Sequence, residues 1–477
     1  MKNKNICGKN MSFSDCELTI LRMQVDKAKD KISRRIVNTP EIKEMFEIVE
    51  NFIKKKNLIC YGGISINAFL PSEDKIYNQD IDLPDYDFFS PNAIEDAKEL
   101  ANIYAKNGSS EVEARSGQHK GTYKVFVNFI GVADITYIPN ELFNVIKKNA
   151  VRINGILYTD PNFLKMSMYL ELSRPSGDTT RWEKVLKRLT LLNKYYPLET
   201  DKCDDIDFQR KMIENEDKSD IIFDNVKNTF INQGVVFFGG YALSEYSQYM
   251  PEKLRKKIEK YADFDVLSRD PKTTAEIVKE RLKDIGIIHV NILKRDPIGD
   301  VIPIHYEIKV GKDTIAFIYK PVACHSYNVI FHKNKKIKIA SIDTMLSFYL
   351  AFLYSDRPYY DTSRILCMSK FLFDVQQKNR LKQKGLLKRF SIICYGHQDS
   401  VEEIRAEKAK RFKELKGKQG TKEYEEWFLN YKPFTQSTIN NTHFNKTKKN
   451  ITKHNSQSNS SKKYSKNKTI KKKYYML

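Results

Sequence analysis

Between residues 41 and 53 one stripe of apolar positions runs through Ile42, Met45, Phe46, Val49, Phe52 and Ile53. That i, i+3, i+4, i+7 spacing lines one side of an α-helix, and Thr39-Pro40 stands just ahead of it. A weaker helical pattern covers about 12–36. The chain changes character at Asn57-Leu58-Ile59-Cys60-Tyr61, a short apolar run that predicts a buried strand and leads straight into Gly62-Gly63. Further strands are predicted near 84–89, 121–129 and 131–138. Asp160-Pro161 predicts a helix start, with Asp as N-cap and Pro in the first turn, and another helix is predicted over about 179–195.

The same order of patterns then returns. A helical stretch near 219–232 leads to Val235-Val236-Phe237-Phe238-Gly239-Gly240. Asp263-Phe264-Asp265-Val266-Leu267-Ser268 follows, matching Asp85-Tyr86-Asp87-Phe88-Phe89-Ser90 in the first copy. Between the glycine pair and the acid pair lie 21 residues (64–84) in the first copy and 22 (241–262) in the second. The segment VRINGILYTDPNFLKMSMYLELSRP is echoed by KKIKIASIDTMLSFYLAFLYSDRP. One α+β fold, a small mixed sheet flanked by helices, is therefore expected twice in tandem, each copy ending in a pair of helices. The expected divisions are a helical segment 1–40, the two copies at 41–200 and 201–385, a helical segment 386–440 and a tail 441–477. Within 386–440, residues 401–427 read as one solvated helix ending in aromatics at Trp427-Phe428.

Composition sharpens this picture at two points. The formal net charge is +22, from 82 Lys+Arg against 60 Asp+Glu, which points toward a polyanionic partner. Half of that excess sits in 441–477, which has 11 lysines and no Asp or Glu. A segment so poor in apolar residues is expected to be disordered. The seven cysteines are scattered with no CxxC pair, and nothing joins Cys394 and His397 at metal-ligand spacing. Neither a zinc site nor a disulfide framework is expected, and the thiols read as buried or incidental in a reducing compartment. No run approaches the roughly 18 apolar residues of a membrane helix, nor does the N-terminus carry a signal-peptide core. A soluble, intracellular protein without a membrane partner is expected.

The acids carry the chemistry. Nucleotidyl transfer needs two divalent ions roughly 4 Å apart, and hard cations such as Mg²⁺ want carboxylates converging on one point. On a strand, residues i and i+2 share a face, so Asp85 and Asp87 point together while Tyr86 points away. Asp134, alone among apolar neighbours in Gly131-Val132-Ala133-Asp134-Ile135-Thr136-Tyr137, is a third ligand from an adjacent strand. A charge there is costly to bury unless a cation offsets it. Gly62 and Gly63 allow backbone N–H groups to approach a triphosphate, and Ser65 could add a hydroxyl. Asp80-Ile81-Asp82 is a second acid pair, but only Asp85 and Asp87 are followed by a segment that the second copy mirrors. That copy keeps Gly239-Gly240 and Asp263/Asp265 but carries Phe317 where Asp134 should recur. It is expected to be degenerate, kept for architecture, RNA contact or oligomerisation, with Glu307 as the acid that could rescue it.

The ordered set of strand, glycine pair, acid pair and strand-borne acid resembles the DNA polymerase β-like nucleotidyltransferase superfamily. In tandem, Tyr61-Gly62-Gly63, Asp85-Tyr86-Asp87-Phe88, Ala133-Asp134-Ile135-Thr136 and the altered repeat at Gly239-Gly240 and Asp263-Phe264-Asp265 resemble the poly(A) polymerase catalytic subunit of large DNA viruses. The mimivirus type is nearer and the poxvirus type more distant. The resemblance implies addition of AMP from ATP to mRNA 3′ ends, with metal ligands Asp85, Asp87 and Asp134 and Mg²⁺ or Mn²⁺ as cofactor. It implies RNA and ATP as partners, a homodimer, and work in the host cytoplasm at a viral factory or packaging in the virion. Lys165, Arg181 and Lys184, on the helices after the catalytic strands, are placed to reach phosphates. Other nucleotidyltransferases (CCA-adding, terminal uridylyl, oligoadenylate or cyclic-dinucleotide synthesising) share the same acid pattern. A non-catalytic RNA-binding scaffold is the reading from a different class.

Overall fold

The computed structural model describes residues 12–78, 81–200, 216–258 and 263–433, with isolated positions between 203 and 214. Asp80 and the Lys-rich segment 441–477 lie outside the described residues. Strands β1 (Ile59–Cys60), β2 (Tyr86–Ser90), β3 (Val112–Ser116), β4 (Thr122–Val127), β5 (Ile130–Tyr137), β6 (Val151–Ile153) and β7 (Ile156–Tyr158) build one sheet. Strands β8 (Val236–Phe237), β9 (Phe264–Leu267), β10 (Val290–Arg295), β11 (His305–Val310), β12 (Asp313–Tyr319), β13 (His325–His332) and β14 (Lys335–Ala340) build another. Each sheet gains one short strand from the C-terminal region, β15 (Cys394–Tyr395) on the second and β16 (Asn430–Tyr431) on the first. Without these additions the orders are β3-β4-β5-β2-β1-β7-β6 and β10-β11-β12-β9-β8-β14-β13. The two are the same, with parallel neighbours β2/β5 and β9/β12 at the centre. The sequence repeat is thus a repeat of topology.

Local chemistry sets the elements that position the site. The helix Pro40–Lys56 is capped by the Thr39 hydroxyl and buries the six residues of its apolar stripe. It ends at Asn57 in the left-handed region (φ 51°), which turns the chain into β1. Asp160 caps the helix Pro161–Leu172 by accepting from the backbone N–H groups of Asn162 and Phe163. Its other carboxylate oxygen accepts from the Tyr354 hydroxyl at 2.6 Å, so one cap also ties the first copy to the second. The Ser326 N–H donates to the Ser173 carbonyl at 2.8 Å, and Arg357 pairs with Glu141 at 2.6 Å across the same junction. The described residues up to Lys432 form one compact unit.

Three features depart from the sequence reading. The helix Ala93–Lys106 carries much of its buried face on Ala93, Ala97 and Ala101, small residues that weaken a hydrophobic periodicity. Residues 401–427 are two helices, Val401–Glu414 and Lys422–Phe428, parted where Gly417 and Gly420 take positive φ. The cysteines are also paired, against expectation: Cys203 with Cys367 and Cys324 with Cys394. Their sequence separations of 164 and 70 residues hide a proximity that only the fold creates. Cys60 is a buried free thiol. Among the described residues, no helix is long and apolar enough to cross a membrane.

Candidate active site

β2 and β5 run parallel with Asp87 directly opposite Asp134. Asp85 sits one residue before β2, and its carboxylate still converges: the acids Asp85, Asp87 and Asp134 offer ligand oxygens all within 4.8 Å of one another. The glycine pair abuts this cluster. Gly62 (φ +69°) opens the helix Gly62–Phe69, and a Cβ on it would stand 2.6 Å from Asp87 Oδ2. A Cβ on Gly63 would strike the Tyr77 hydroxyl. Gly62 is there because the helix start must press against the acid strand, and Gly63 because Tyr77 packs over it. Behind the acids, the Tyr61 hydroxyl bonds Thr136 at 2.8 Å, and its ring stacks on Phe89 at 4.0 Å. Asp82 closes a turn with the Asn78 N–H at 2.8 Å, which leaves Asp85 and Asp87 as the converging pair.

The electrostatics of the cluster are those of a site that wants a cation. Burial, then the charges of Asp85 and Asp134, pushes the Asp87 carboxyl up to about 7. Burial, then Asp134, also raises Asp85. Lys124 on β4, opposite Asp134 in the register, forms an ion pair with it. Lys124 and Arg188 lower Asp87 only in part. The sign of the linkage follows. Asp87 is more basic folded than unfolded, so its penalty is absent well below pH 4, grows as pH rises toward 7, and is complete above it. Asp87→Asn is therefore expected to stabilise the metal-free protein at pH 8 by on the order of 2 kcal/mol, allowing for partial solvent screening, and hardly at all at pH 4. Thermal melts in EDTA at the two pH values check this; equal or lower stability at pH 8 would contradict the repulsion.

A cleft of about 690 Å³ opens beside Gly62 and runs between the two copies. Its apolar walls come from Tyr61, Phe89, Phe163 and Leu164 on one side and Phe348 and Ala351 on the other. Arg181 and Arg188 line it as well. Arg181 is paired with Glu171 at 3.2 Å. Arg188, which the sequence reading passed over, donates to the Tyr77 hydroxyl at 2.8 Å and lies 5.5 Å from that ring. Its signal was present, since it follows Lys184 by four residues and Arg181 by seven on one helix face. Lys184 lies near enough to Asp85 to lower its carboxyl. The structure does not bring Lys165 to the cleft. It is 1% exposed, held in the core near Asp160 and Glu199, where desolvation lowers its ammonium to about 8. Ser65 is likewise buried, 3.4 Å from the Thr159 hydroxyl, because the fourth residue of this short helix faces the sheet rather than the cleft.

The second copy repeats the scaffold without the chemistry. β12 and β9 pair with Phe317 opposite Asp265, the position Asp134 holds opposite Asp87. Arg364 donates to Asp263 at 2.7 Å, so a guanidinium already meets that acid. Glu307 stands opposite Phe317 as Lys124 stands opposite Asp134, and it is held by Arg295 and Thr314. It belongs to a buried polar network and does not restore a triad. His397, Asp399 and Glu403 form another acid-rich group among the described residues, but all three are exposed.

Residues 47–178 match the family model of the poly(A) polymerase catalytic subunit. A mimivirus protein named as such a subunit is 33% identical over 210 residues, 42% of this chain and 35% of its own length. One from African swine fever virus is 34% identical over 180 residues, 36% of this chain and 38% of its own. The aligned stretches thus span little more than a third of these curated relatives. The crystal structure of the Megavirus polyadenylate synthase matches across 94% of this chain and 92% of its own, with TM-score 0.74 and 22% identity. The two share a fold over that span.

Proposed function

We propose that this chain is a template-independent polynucleotide adenylyltransferase, adding AMP units from ATP to RNA 3′ ends. One observation carries the reading: three carboxylates, on β5 and at the start of β2, converge beside a glycine-opened helix start that lines a cleft large enough for a nucleotide. Hard oxygen donors, mutual repulsion and a raised Asp87 fit a divalent cation, Mg²⁺ or Mn²⁺, at Asp85, Asp87 and Asp134. Such ions, when bound, would activate the 3′ hydroxyl and offset charge on the departing pyrophosphate. The chain's own residues do the rest. The N–H groups at the start of the helix Gly62–Phe69 would meet phosphate oxygens, which its dipole favours. Arg188 and Lys184 lie close enough to the acids to steady a triphosphate. Lys124, which neutralises Asp134 in the metal-free chain, would release it to the cation. Tyr61 and Phe89 wall the cleft with aromatic surface against which a base or ribose can pack.

Primer extension on a short RNA with each of the four NTPs, with Mg²⁺ or Mn²⁺, tests the reading. Extension with ATP in clear preference is expected. Preference for UTP or CTP would favour another nucleotidyltransferase, and no metal-dependent extension would favour the scaffold. Removing 441–477, with its 11 lysines, is expected to weaken RNA binding and flatten its salt dependence without loss of metal-dependent extension on a short primer. Binding isotherms at several salt concentrations check this; an unchanged slope would take the tail out of the RNA contact.

A further inference from the structure

Much of the cleft wall is apolar, and the second copy adds polar residues to it at Asp300, His325 and Ser347. His325, the first residue of β13, lines the cleft and is 0% exposed. Neither of its ring nitrogens has a hydrogen-bond partner among the described residues. A buried polar group left this way has lost its water without replacement, a cost that a ligand can recover. Two hydroxyls that line the same cleft are already engaged: Ser167 donates to the Phe163 carbonyl and Ser347 to the Thr344 carbonyl.

The ring is held firmly. Cys324, its neighbour, is bonded to Cys394, His325 pairs with Tyr395 in the β13/β15 ladder, and the Ser326 N–H is anchored on the Ser173 carbonyl. Phe348 packs against it at 5.1 Å between ring centres. The one charged group that bears on its ionisation, Arg174, is cationic and disfavours a second proton; burial disfavours it more, and the two hold the imidazole near 3. The ring is therefore neutral at physiological pH, with one N–H donor and one lone-pair acceptor. The aromatic surface of Phe348 beside a neutral donor–acceptor suits a flat heterocycle with hydrogen-bonding edges. A phosphate would instead be drawn to the cations of the cleft, Lys120, Arg181 and Arg188.

We propose that His325 reads the edge of a purine base bound in the cleft, and so makes the degenerate copy a contributor to base selection. The proposal rests on the adenylyltransferase reading and adds to it a specificity-determining residue. Adenine presents an acceptor at N1 beside a donor at N6, and guanine presents the reverse, so an imidazole N–H at that edge favours adenine and a bare imidazole nitrogen favours guanine. A buried group that loses its partner with the wrong base discriminates more strongly than apolar fit alone.

The base could belong to the incoming nucleotide or to the primer's last residue, and two arms separate these sources. In the first, His325→Phe and wild type are compared for ATP against GTP, CTP and UTP on one fixed primer. In the second, ATP is held fixed while primers ending in A, C, G or U are compared. A fall of at least about tenfold in discrimination in one arm is expected, and that arm identifies the source. His325→Gln, which keeps a donor and an acceptor, should retain part of the discrimination. It also guards against a Phe variant that does not fold, as does binding of AMP measured by calorimetry in the absence of metal. Unchanged discrimination in both arms, with unchanged AMP binding, would reduce His325 to a packing residue. If wild type itself shows no ATP-dependent extension, the adenylyltransferase reading fails; AMP affinity lost only in the variant would still support a base site.

Discussion

Asp134→Ala is expected to lower metal-dependent primer extension by at least about a thousandfold while RNA affinity stays within a few-fold of wild type. The magnitude follows from the role. Charge stabilisation by correctly held divalent ions is worth several kcal/mol, and each 1.4 kcal/mol is about a factor of ten in rate. The direction follows from geometry, because Asp134 is the carboxylate that closes the group of three against Asp85 and Asp87. Asp85→Ala and Asp87→Ala should fall to a similar level, and the double variants should fall little further, since the acids act as one ligand set. Stability should not explain the loss. Removing Asp134 removes one of the charges that raise Asp85 and Asp87, so the metal-free variant is expected to melt no lower than wild type. Steady-state extension rates, RNA anisotropy and melts in EDTA, measured on the same preparations, check all three parts. Extension within tenfold of wild type would remove Asp134 from the site.

The acid cluster was largely legible in the sequence because its logic is local. Alternation along a strand puts Asp85 and Asp87 together, and an acid in an apolar run marks Asp134. The repeat was legible for the same reason, since glycine pair and acid pair recur at nearly one spacing. What escaped were facts of register and burial. That Lys124 faces Asp134 depends on how β4 slides against β5, where a bulge between Val125 and Phe126 shifts the pairing. Lys165 read as a helix cation within reach of phosphates, but its helix, Pro161–Leu172, is packed between the copies and most of its residues are buried. His325 gave no local signal at all, because it meets the cleft only when the second copy docks against the first.

The second copy can be tested by asking it to become the first. Phe317→Asp restores the missing third acid in register, yet it is expected to yield no second metal site and to destabilise the protein strongly. Phe317 is 0% exposed, with its ring 5.4 Å from Tyr359 and 5.8 Å from His305. Losing the ring alone costs about 3–5 kcal/mol, and a carboxylate in the vacated space must be desolvated or protonated. At about 2–4 °C per kcal/mol for a large unit, the melting midpoint should fall by roughly 10 °C or more. The metal would find its place contested. Arg364, with 15% of its side chain exposed, already bonds Asp263, whose side chain is 2% exposed, and Glu307 brings a fourth acid where the first copy has Lys124. Removing the guanidinium is no remedy, because Arg364→Met strands a buried carboxylate at a cost of about 3–5 kcal/mol. Mn²⁺ titrations of wild type and Phe317→Asp should therefore saturate at the same stoichiometry, with both responses lost in Asp85→Ala. A second set of sites in Phe317→Asp would show that one side chain alone silenced the copy; equal stoichiometry with a lowered melting midpoint would show that the ion pair and the aromatic core have replaced what the metal once organised.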